Sequence, residues 1–319
     1  MNEILRTALM LVALILATAC GSTPKPSTEE APEETTYAPG TRTMKRSRPD
    51  IYSVTTRQEY EDMVATYWDD FDFDSPERIA EYDTLDIIFA LSDYVTVIPP
   101  YKADSLLRNL MSRASAHRPT LDFFAMVMEV VLHDPNSPVR NDEYYSPVLE
   151  PLLAAPLLDD YDRIAPEYDL ALAKQNRIMH VANDFVYTTA NGKRSRLHAI
   201  TADYVILMFS NPGCPMCREI TEEICASPLL NEMQERGSLK ILSLYPDEDL
   251  TAWRDHLGDM PERWIKGYDD GLVISSQRLY NLNAIPSLYL LDAEKRVLIK
   301  DGTSVAQIEN TIALVESNK

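Results

Sequence analysis

Apolar residues follow two different patterns along the chain, and the change between them falls near residue 175. Before that point they recur at intervals of three and four residues, as on one face of a helix. This spacing predicts a helix in the stretch TTRQEYEDMVATYWDDFD. Its apolar face consists of Tyr60, Met63, Val64, Tyr67, Trp68 and Phe71. Residues 51–174 are therefore predicted to form an all-α helical domain.

Capping residues and prolines divide this helical half. Ser75-Pro76-Glu77 is typical of a helix start, and Pro99-Pro100 is expected to break the helix that follows. Two amphipathic helices come next, in ADSLLRNLMSRASA and TLDFFAMVMEVVLHD. The last segment has helical periodicity, but prolines are expected to break it. These prolines are Pro147, Pro151, Pro156 and Pro166.

Beyond residue 175, strands and helices alternate. DYVILMFS and SLKILSLY are continuous apolar runs, which predicts buried strands at the centre of a sheet. DFVYTTANGKRSRLHAI predicts a hairpin with Asn191-Gly192 as its turn, and IPSLYLLDAEKRVLIKDG predicts a second antiparallel hairpin. One helix is expected to run from the two cysteines of CPMC to about Glu235. Further helices are expected in DEDLTAWRDHLG, GLVISSQRLYNL and SVAQIENTIALVESN. Residues 175–319 are therefore predicted to form an α/β domain with a central mixed sheet.

The first fifty residues differ from both domains. After Arg6, an apolar run of about a dozen residues is too short to span a bilayer and fits the core of a signal peptide over residues 1–19. It ends in LATAC, which resembles a bacterial lipobox and predicts that Cys20 is lipidated; cleavage of an ordinary secreted protein is the alternative. Residues 20–50 are rich in Pro, Ser, Thr and Glu, so we expect a disordered tether.

The net charge of −20 argues against a nucleic-acid partner, because phosphates are bound by clustered Lys and Arg. Most of that charge, roughly −15, lies in residues 51–174. A solvated acidic helical surface is the simpler interpretation, and attraction of a basic partner is the other.

The stretch MFSNPGCPMCREI carries the clearest chemistry. Cys214 and Cys217 are two residues apart, directly after a predicted buried strand and at the start of a predicted helix. Unpaired backbone N–H groups and the helix dipole favour a thiolate at the first cysteine, and the second lies one turn along, within reach of it. Cys225 is too far along the helix to pair with either, and is expected to be a small buried residue.

In these features the C-terminal domain resembles the thioredoxin-like family, and within it the envelope thiol–disulfide oxidoreductases of the TlpA and ResA type. The resemblance covers about residues 180–319 and includes the later motif NAIPSLYLLD. It implies that Cys214 is the nucleophile, that Cys217 is the resolving thiol, and that Ile285 and a cis Pro286 bind the client. The other predicted client-binding residues are Pro215 and Met216. The helical half resembles an uncharacterised domain that precedes such domains in envelope lipoproteins.

Three positions depart from the family pattern. Met208 and Ile220 stand where relatives keep an acidic residue, and Gly213 replaces the usual Trp before the nucleophile. The acceptor of the resolving thiol's proton is therefore unassigned, and water is one option.

The resemblance implies a lipid-anchored enzyme of a Gram-negative cell envelope that faces the periplasm and exchanges thiols and disulfides with other proteins. An unidentified redox partner would recycle the pair, and no dissociable cofactor and no metal are expected. Two alternatives stay open. Two thiolates with the soft neighbours Met208 and Met216 could bind Cu(I) as a metallochaperone, or the domain could be a redox-inactive binding protein.

Overall fold

The computed structural model describes residues 40, 42–43 and 54–318. The predicted signal peptide, the lipidation site Cys20 and most of the predicted tether lie outside the described residues. Arg42 falls within that tether, yet its backbone is paired. Its N–H donates to Glu81 O over 2.8 Å, and its carbonyl accepts from Asp83 N–H over 2.9 Å. At Arg42 the chain already lies against the helical region.

Helices make up the described chain before residue 174. They are α1 (Arg57–Ala65), a 3₁₀ helix (Pro76–Glu81), α2 (Thr84–Val97), α3 (Pro100–Ala114), α4 (Arg118–Leu132), α5 (Asp142–Ala154) and α6 (Ile164–Ala173). Side chains at their boundaries satisfy free backbone N–H groups: Asp83 accepts from Leu85 N–H at the start of α2. The apolar faces meet in one buried core. Within residues 54–318, no helix combines the length and the apolar character needed to cross a membrane.

The first predicted helix is shorter than its pattern suggested. α1 ends at Ala65, and Tyr67, Trp68 and Phe71 are buried from the turns that follow it. Tyr67 donates its hydroxyl to Ala90 O over 3.0 Å. Trp68 packs edge-on against Phe124, with ring centroids 5.6 Å apart. Packing in an aromatic core, and not helical periodicity, therefore places these side chains.

The prediction that prolines break the last helical segment was wrong at two of four positions. α5 passes through both Pro147 and Pro151. Each proline removes one N–H from the helix ladder. Burial of the helix face that carries Val148 and Leu149, which are fully buried, outweighs that loss. Pro156 follows the end of α5, and Pro166 lies in the first turn of α6, where the missing N–H has no helical partner.

Strands and helices alternate after residue 185. The strands are β1 (Val186–Thr189), β2 (Arg194–Arg196), β3 (Tyr204–Phe209), β4 (Leu239–Tyr245), β5 (Ile265–Tyr268), β6 (Ser287–Asp292) and β7 (Val297–Gly302). The helices are α7 (Pro215–Ala226), α8 (Pro228–Glu235), α9 (Leu250–Asp255), α10 (Val273–Ser276) and α11 (Val305–Ser317). The seven strands form one mixed sheet in the order β2-β1-β5-β4-β3-β6-β7. In it, β3 is parallel to β4 and antiparallel to β6.

β3 lies near the centre of this sheet, and its alternate side chains enter separate cores. Ile206 and Met208 face the side covered by α7, α8 and α11, while Leu207 and Phe209 face the other. Burial on both faces explains why this strand reads as a continuous apolar run. It also fixes the position of the turn that follows Phe209.

Two predicted elements of this half need correction, and one strand was not predicted. The helix expected to reach Glu235 is two helices, because Ser227 accepts from Leu230 N–H and caps a new helix that starts with Pro228. GLVISSQRLYNL forms only the single turn α10. The short strand β5 was not predicted, since its four residues lack a clear alternation and only Gly267 is buried.

The helical region and the sheet are joined by buried charges on β7. Lys300 Nζ donates to Ala173 O and Gln175 O over 2.7 and 2.8 Å. The next residue, Asp301, accepts from Arg140 over 2.9 and 3.4 Å. These contacts place the segment between α4 and α5 beside the end of β7.

Candidate active site

Cys214 is held at the N-terminus of α7 by the turn that leaves β3. Gly213 adopts a φ of +68°, a left-handed conformation that glycine tolerates best, and Cys214 N–H donates to Asn211 O over 3.3 Å. The Cys214 side chain caps the helix, because Sγ accepts from Cys217 N–H over 3.2 Å. It is also partly exposed. A sulfur at this position can reach a partner molecule, and the positive end of the helix dipole would stabilise a thiolate formed there.

Cys217 is the buried member of the pair. Cys217 is 6% exposed and packs in the core beneath α7. Both cysteines are free thiols. Burial, followed by the hydrogen bond with Cys214, raises the pKa of Cys217 to about 12. At neutral pH Cys217 is therefore a thiol, not a thiolate. The two sulfurs thus differ in access: that of Cys214 is partly exposed and that of Cys217 is buried.

The Ile285–Pro286 peptide bond is cis and immediately precedes β6. Ser287, the next residue, pairs with Phe209 at the end of β3, so the proline lies beside the turn that carries the cysteines. Ile285, Pro286 and Met216 line one cleft of about 440 Å³. Pro215 is exposed at the first position of α7 and is not among the residues lining this cleft.

The opposite wall of this cleft comes from the helical region. Pro135, Asn136 and Arg140, in the segment between α4 and α5, line it together with the cis proline. No local pattern in the sequence indicates that contact, because about 150 residues separate Asn136 from Pro286. The helical region therefore shapes the surface beside the cysteine pair.

A second, smaller cavity of about 60 Å³ adjoins the cysteines themselves. Cys214 and Cys217 line it together with Trp253 and His256 from the end of α9. His256 Nε2 lies 3.7 Å from the position that a Cβ on Gly213 would occupy. His256 was not predicted as a site residue, because the histidines show no metal-ligand or catalytic spacing.

Comparisons with known proteins divide the chain in a similar way. Residues 19–176 match the family described as "Domain of unknown function (DUF5106)", and residues 202–297 match the family described as "Thioredoxin-like". The crystal structure of a thioredoxin-like protein from Bacteroides caccae is similar with a TM-score of 0.77. Its sequence is 36% identical, and the match covers 82% of this chain and 95% of that one. The chain belongs to the thioredoxin-like family.

Two further relatives of the thioredoxin-like chain cover only part of it. The C-terminal domain of an uncharacterized Bacteroides fragilis protein is 43% identical, with a TM-score of 0.42, over 43% of this chain and 98% of that one. Human nucleoredoxin is 25% identical over 113 residues, 35% of this chain. The match spans about a quarter of the human protein's length, 26%.

The predicted fold is confirmed: a helical region is followed by a thioredoxin-like domain with a seven-stranded mixed sheet. The chain has the fold and the Cys-x-x-Cys pair of a thiol–disulfide oxidoreductase, which supports a redox role. Within the described ranges, no group of three or more His, Cys, Asp or Glu side chains could hold a metal ion.

Apolar residues occupy the two positions at which the family resemblance would place an acidic residue. Met208 and Ile220 are buried in the core beneath α7. Glu219, Glu222 and Glu223 are exposed on the outer face of that helix. The carboxylates of α7 therefore do not point toward Cys217.

Cys225 was expected to be buried, and that expectation was wrong: it is exposed near the end of α7. Residues eleven apart on a helix lie at nearly the same azimuth, so Cys225 lies on the same side of α7 as Cys214. That side faces solvent, whereas Cys217, Ile220 and Ile224 form the buried face.

Proposed function

We propose that the chain is a thiol–disulfide oxidoreductase that exchanges the Cys214–Cys217 pair with disulfides or dithiols of other proteins. The observation that carries this proposal is the asymmetry of the two sulfurs. Cys214 is accessible and caps a helix, while Cys217 is buried one turn behind it. Exchange needs one thiolate that can reach a client and a second thiol that can reach only the first.

The reaction takes two steps. The Cys214 thiolate attacks one sulfur of a client disulfide, whose S–S bond breaks; the other client sulfur leaves as a thiolate and takes a proton from solvent. Cys217 then loses its proton and attacks Cys214 Sγ, so that the bond to the client breaks and the second client sulfur is released. The client gains two electrons and the pair becomes a disulfide. The reverse sequence oxidises a client dithiol.

The cleft beside the pair is the proposed binding place of the client chain. Ile285 and Pro286 offer backbone and ring surface, and Met216, which is 55% exposed, offers an apolar contact above the cysteines. Pro215 pre-sets the start of α7 and has no N–H to offer the Cys214 sulfur. The wall formed by Pro135, Asn136 and Arg140 limits which protein segments fit, so we propose that the helical region selects clients.

The proposed location is the cell envelope of a Gram-negative bacterium, with a lipid anchor on Cys20 and the folded part facing the periplasm. The LATAC motif and the short apolar run before it support this proposal. An unidentified redox partner would recycle the Cys214–Cys217 pair. Membrane extraction of cells that express the wild-type chain or Cys20→Ser tests the anchor, which predicts that only the wild-type chain stays with the membrane.

An insulin-reduction assay tests the reaction. The background is the full chain with Cys20→Ser and Cys225→Ser, so that only the pair can react. This protein should accelerate reduction by dithiothreitol, and both Cys214→Ser and Cys217→Ser should abolish the acceleration. Cys217→Ser should also accumulate a mixed disulfide through Cys214. A background protein no faster than Cys214→Ser, toward insulin and other protein disulfides, would overturn the proposal.

A further inference from the structure

Release of the client requires Cys217 to lose a proton. Its raised pKa, which follows from burial and from the contact with Cys214, keeps that proton on the sulfur at neutral pH. The three carboxylates of α7, those of Glu219, Glu222 and Glu223, are exposed to solvent, whereas Cys217 is buried. A general base near the pair would therefore speed the release step.

His256 presents a free nitrogen to this region. Asp249 caps the start of α9 and accepts from Thr251 N–H and Ala252 N–H over 3.1 and 3.0 Å. At the other end, His256 Nδ1 lies 2.9 Å from Ala252 O. A carbonyl oxygen can only accept, so the neutral ring carries its proton on Nδ1 and leaves Nε2 as an acceptor.

The Nε2 atom faces the cysteine turn. It lies 3.7 Å from the position of a Cβ on Gly213, and the absence of a side chain there leaves the way open. His256 lines the same cavity as Cys214 and Cys217. This cavity has a volume of about 60 Å³, which has room for a water molecule. The other charged side chains that line this cavity are Arg218 and Asp259, both exposed to solvent.

We propose that His256 accepts the proton of Cys217 during client release, in place of the acidic residue that other members of the family use. The assignment rests on the proposed oxidoreductase function. The proton passes from Cys217 Sγ through water to Nε2, and the Cys217 thiolate attacks Cys214 Sγ. The bond from Cys214 to the client sulfur breaks, and the departing client thiolate takes the proton from the imidazolium. The pair is thereby oxidised, the client reduced, and the ring returned to its neutral form.

A reaction with the small disulfide 5,5′-dithiobis(2-nitrobenzoate) separates the two steps. Mixed in equal amounts with the reduced full chain that carries Cys20→Ser and Cys225→Ser, it should release two coloured thiolates in turn. The first reports attack by Cys214, and the second reports attack by Cys217. Cys217→Ser should give only the first.

His256→Gln and His256→Asn should leave the first phase unchanged and slow the second by roughly 100-fold at pH 7. Added imidazole should restore the second phase, and the gap to the parent should close as rising pH makes the variant's Cys217 ionise without help. His198→Gln is the matched control, because His198 Nε2 also contacts a backbone carbonyl, Ala182 O at 2.8 Å, but lies outside the cavity. It should keep both phases.

Three results would overturn the assignment. The second phase could be as fast in His256→Gln as in the parent. It could be slow in a way that neither imidazole nor high pH corrects, which would indicate a structural role. A parent chain that releases only one thiolate would refute the oxidoreductase function itself, and the assignment with it; the Cys217→Ser trace identifies that case.

Discussion

Lys300 Nζ lies 3.1 Å from the Asp142 carboxylate, and these side chains are only 4% and 9% exposed. One belongs to β7 of the thioredoxin-like sheet and the other to the first turn of α5. A buried charge that loses its partner keeps its cost of dehydration, so this contact fixes the two regions firmly to each other.

Lys300→Met should therefore destabilise the protein strongly. The change leaves the Asp142 carboxylate without its cation and removes the donor to Ala173 O and Gln175 O. We expect a loss of about 3–5 kcal/mol in the free energy of unfolding, measured by urea titration. Lys174→Met is the control, because its pair with Glu150 is half-exposed, and it should cost about 1 kcal/mol or less. Equal losses in the two variants would contradict the prediction.

The raised pKa of Cys217 predicts a loss of stability at high pH in the reduced protein. The folded chain holds this proton more tightly than the unfolded chain does, so the contribution of Cys217 to stability is complete below about pH 9. It is lost as the pH rises from about 9 to about 12. The urea midpoint of the reduced protein should fall over this range more than that of Cys217→Ala. The disulfide form, which has no proton there, is a second control and should follow the variant.

Gly213→Ala should destabilise the turn before Cys214. The residue has a φ of +68°, and a Cβ would add a cost of about 1–2 kcal/mol in that conformation. The new methyl group would also lie 3.7 Å from His256 Nε2. Gly258→Ala is the matched control, because nothing lies within 4 Å of its Cβ position. It should change the free energy of unfolding by about 0.5 kcal/mol or less.

Asn136→Trp tests the wall that the helical region adds to the client cleft. A large side chain there should obstruct a protein segment that approaches Pro286, but not a small disulfide that reaches Cys214 directly. We expect the rate of insulin reduction to fall about tenfold, which corresponds to about 1.4 kcal/mol, with no change toward 5,5′-dithiobis(2-nitrobenzoate). Gln58→Trp, at an exposed position of α1 away from the cleft, should leave both rates unchanged. Equal slowing toward both disulfides would argue against a role of this wall in client choice.

Local pattern was sufficient for the elements that are buried on one or both faces. β3 and β4 are continuous apolar runs because the sheet is covered on both sides, and α7 starts where the sequence places Pro215 after Cys214. Pattern failed where tertiary packing opposed it. α5 keeps its helix through Pro147 and Pro151, and β5 is too short to show a period.

Local pattern also identified only part of the candidate site. Cys214 and Cys217 were evident because one strand-to-helix turn carries both, and the family resemblance supplied Ile285 and Pro286. His256 and Asn136 reach the site only through folding of distant segments. A single sequence holds no sign of such proximity.

The burial of Cys217 bears on the lifetime of a mixed disulfide between a client and Cys214. Once a client is bound to Cys214, small thiols from solvent compete for that bond at their own concentration, whereas Cys217 attacks from a fixed position within the same molecule. Under the proposed function, the lifetime of the complex with a client would depend on how readily Cys217 loses its proton. The position of Cys217 in the protein would thus set the lifetime of the mixed disulfide.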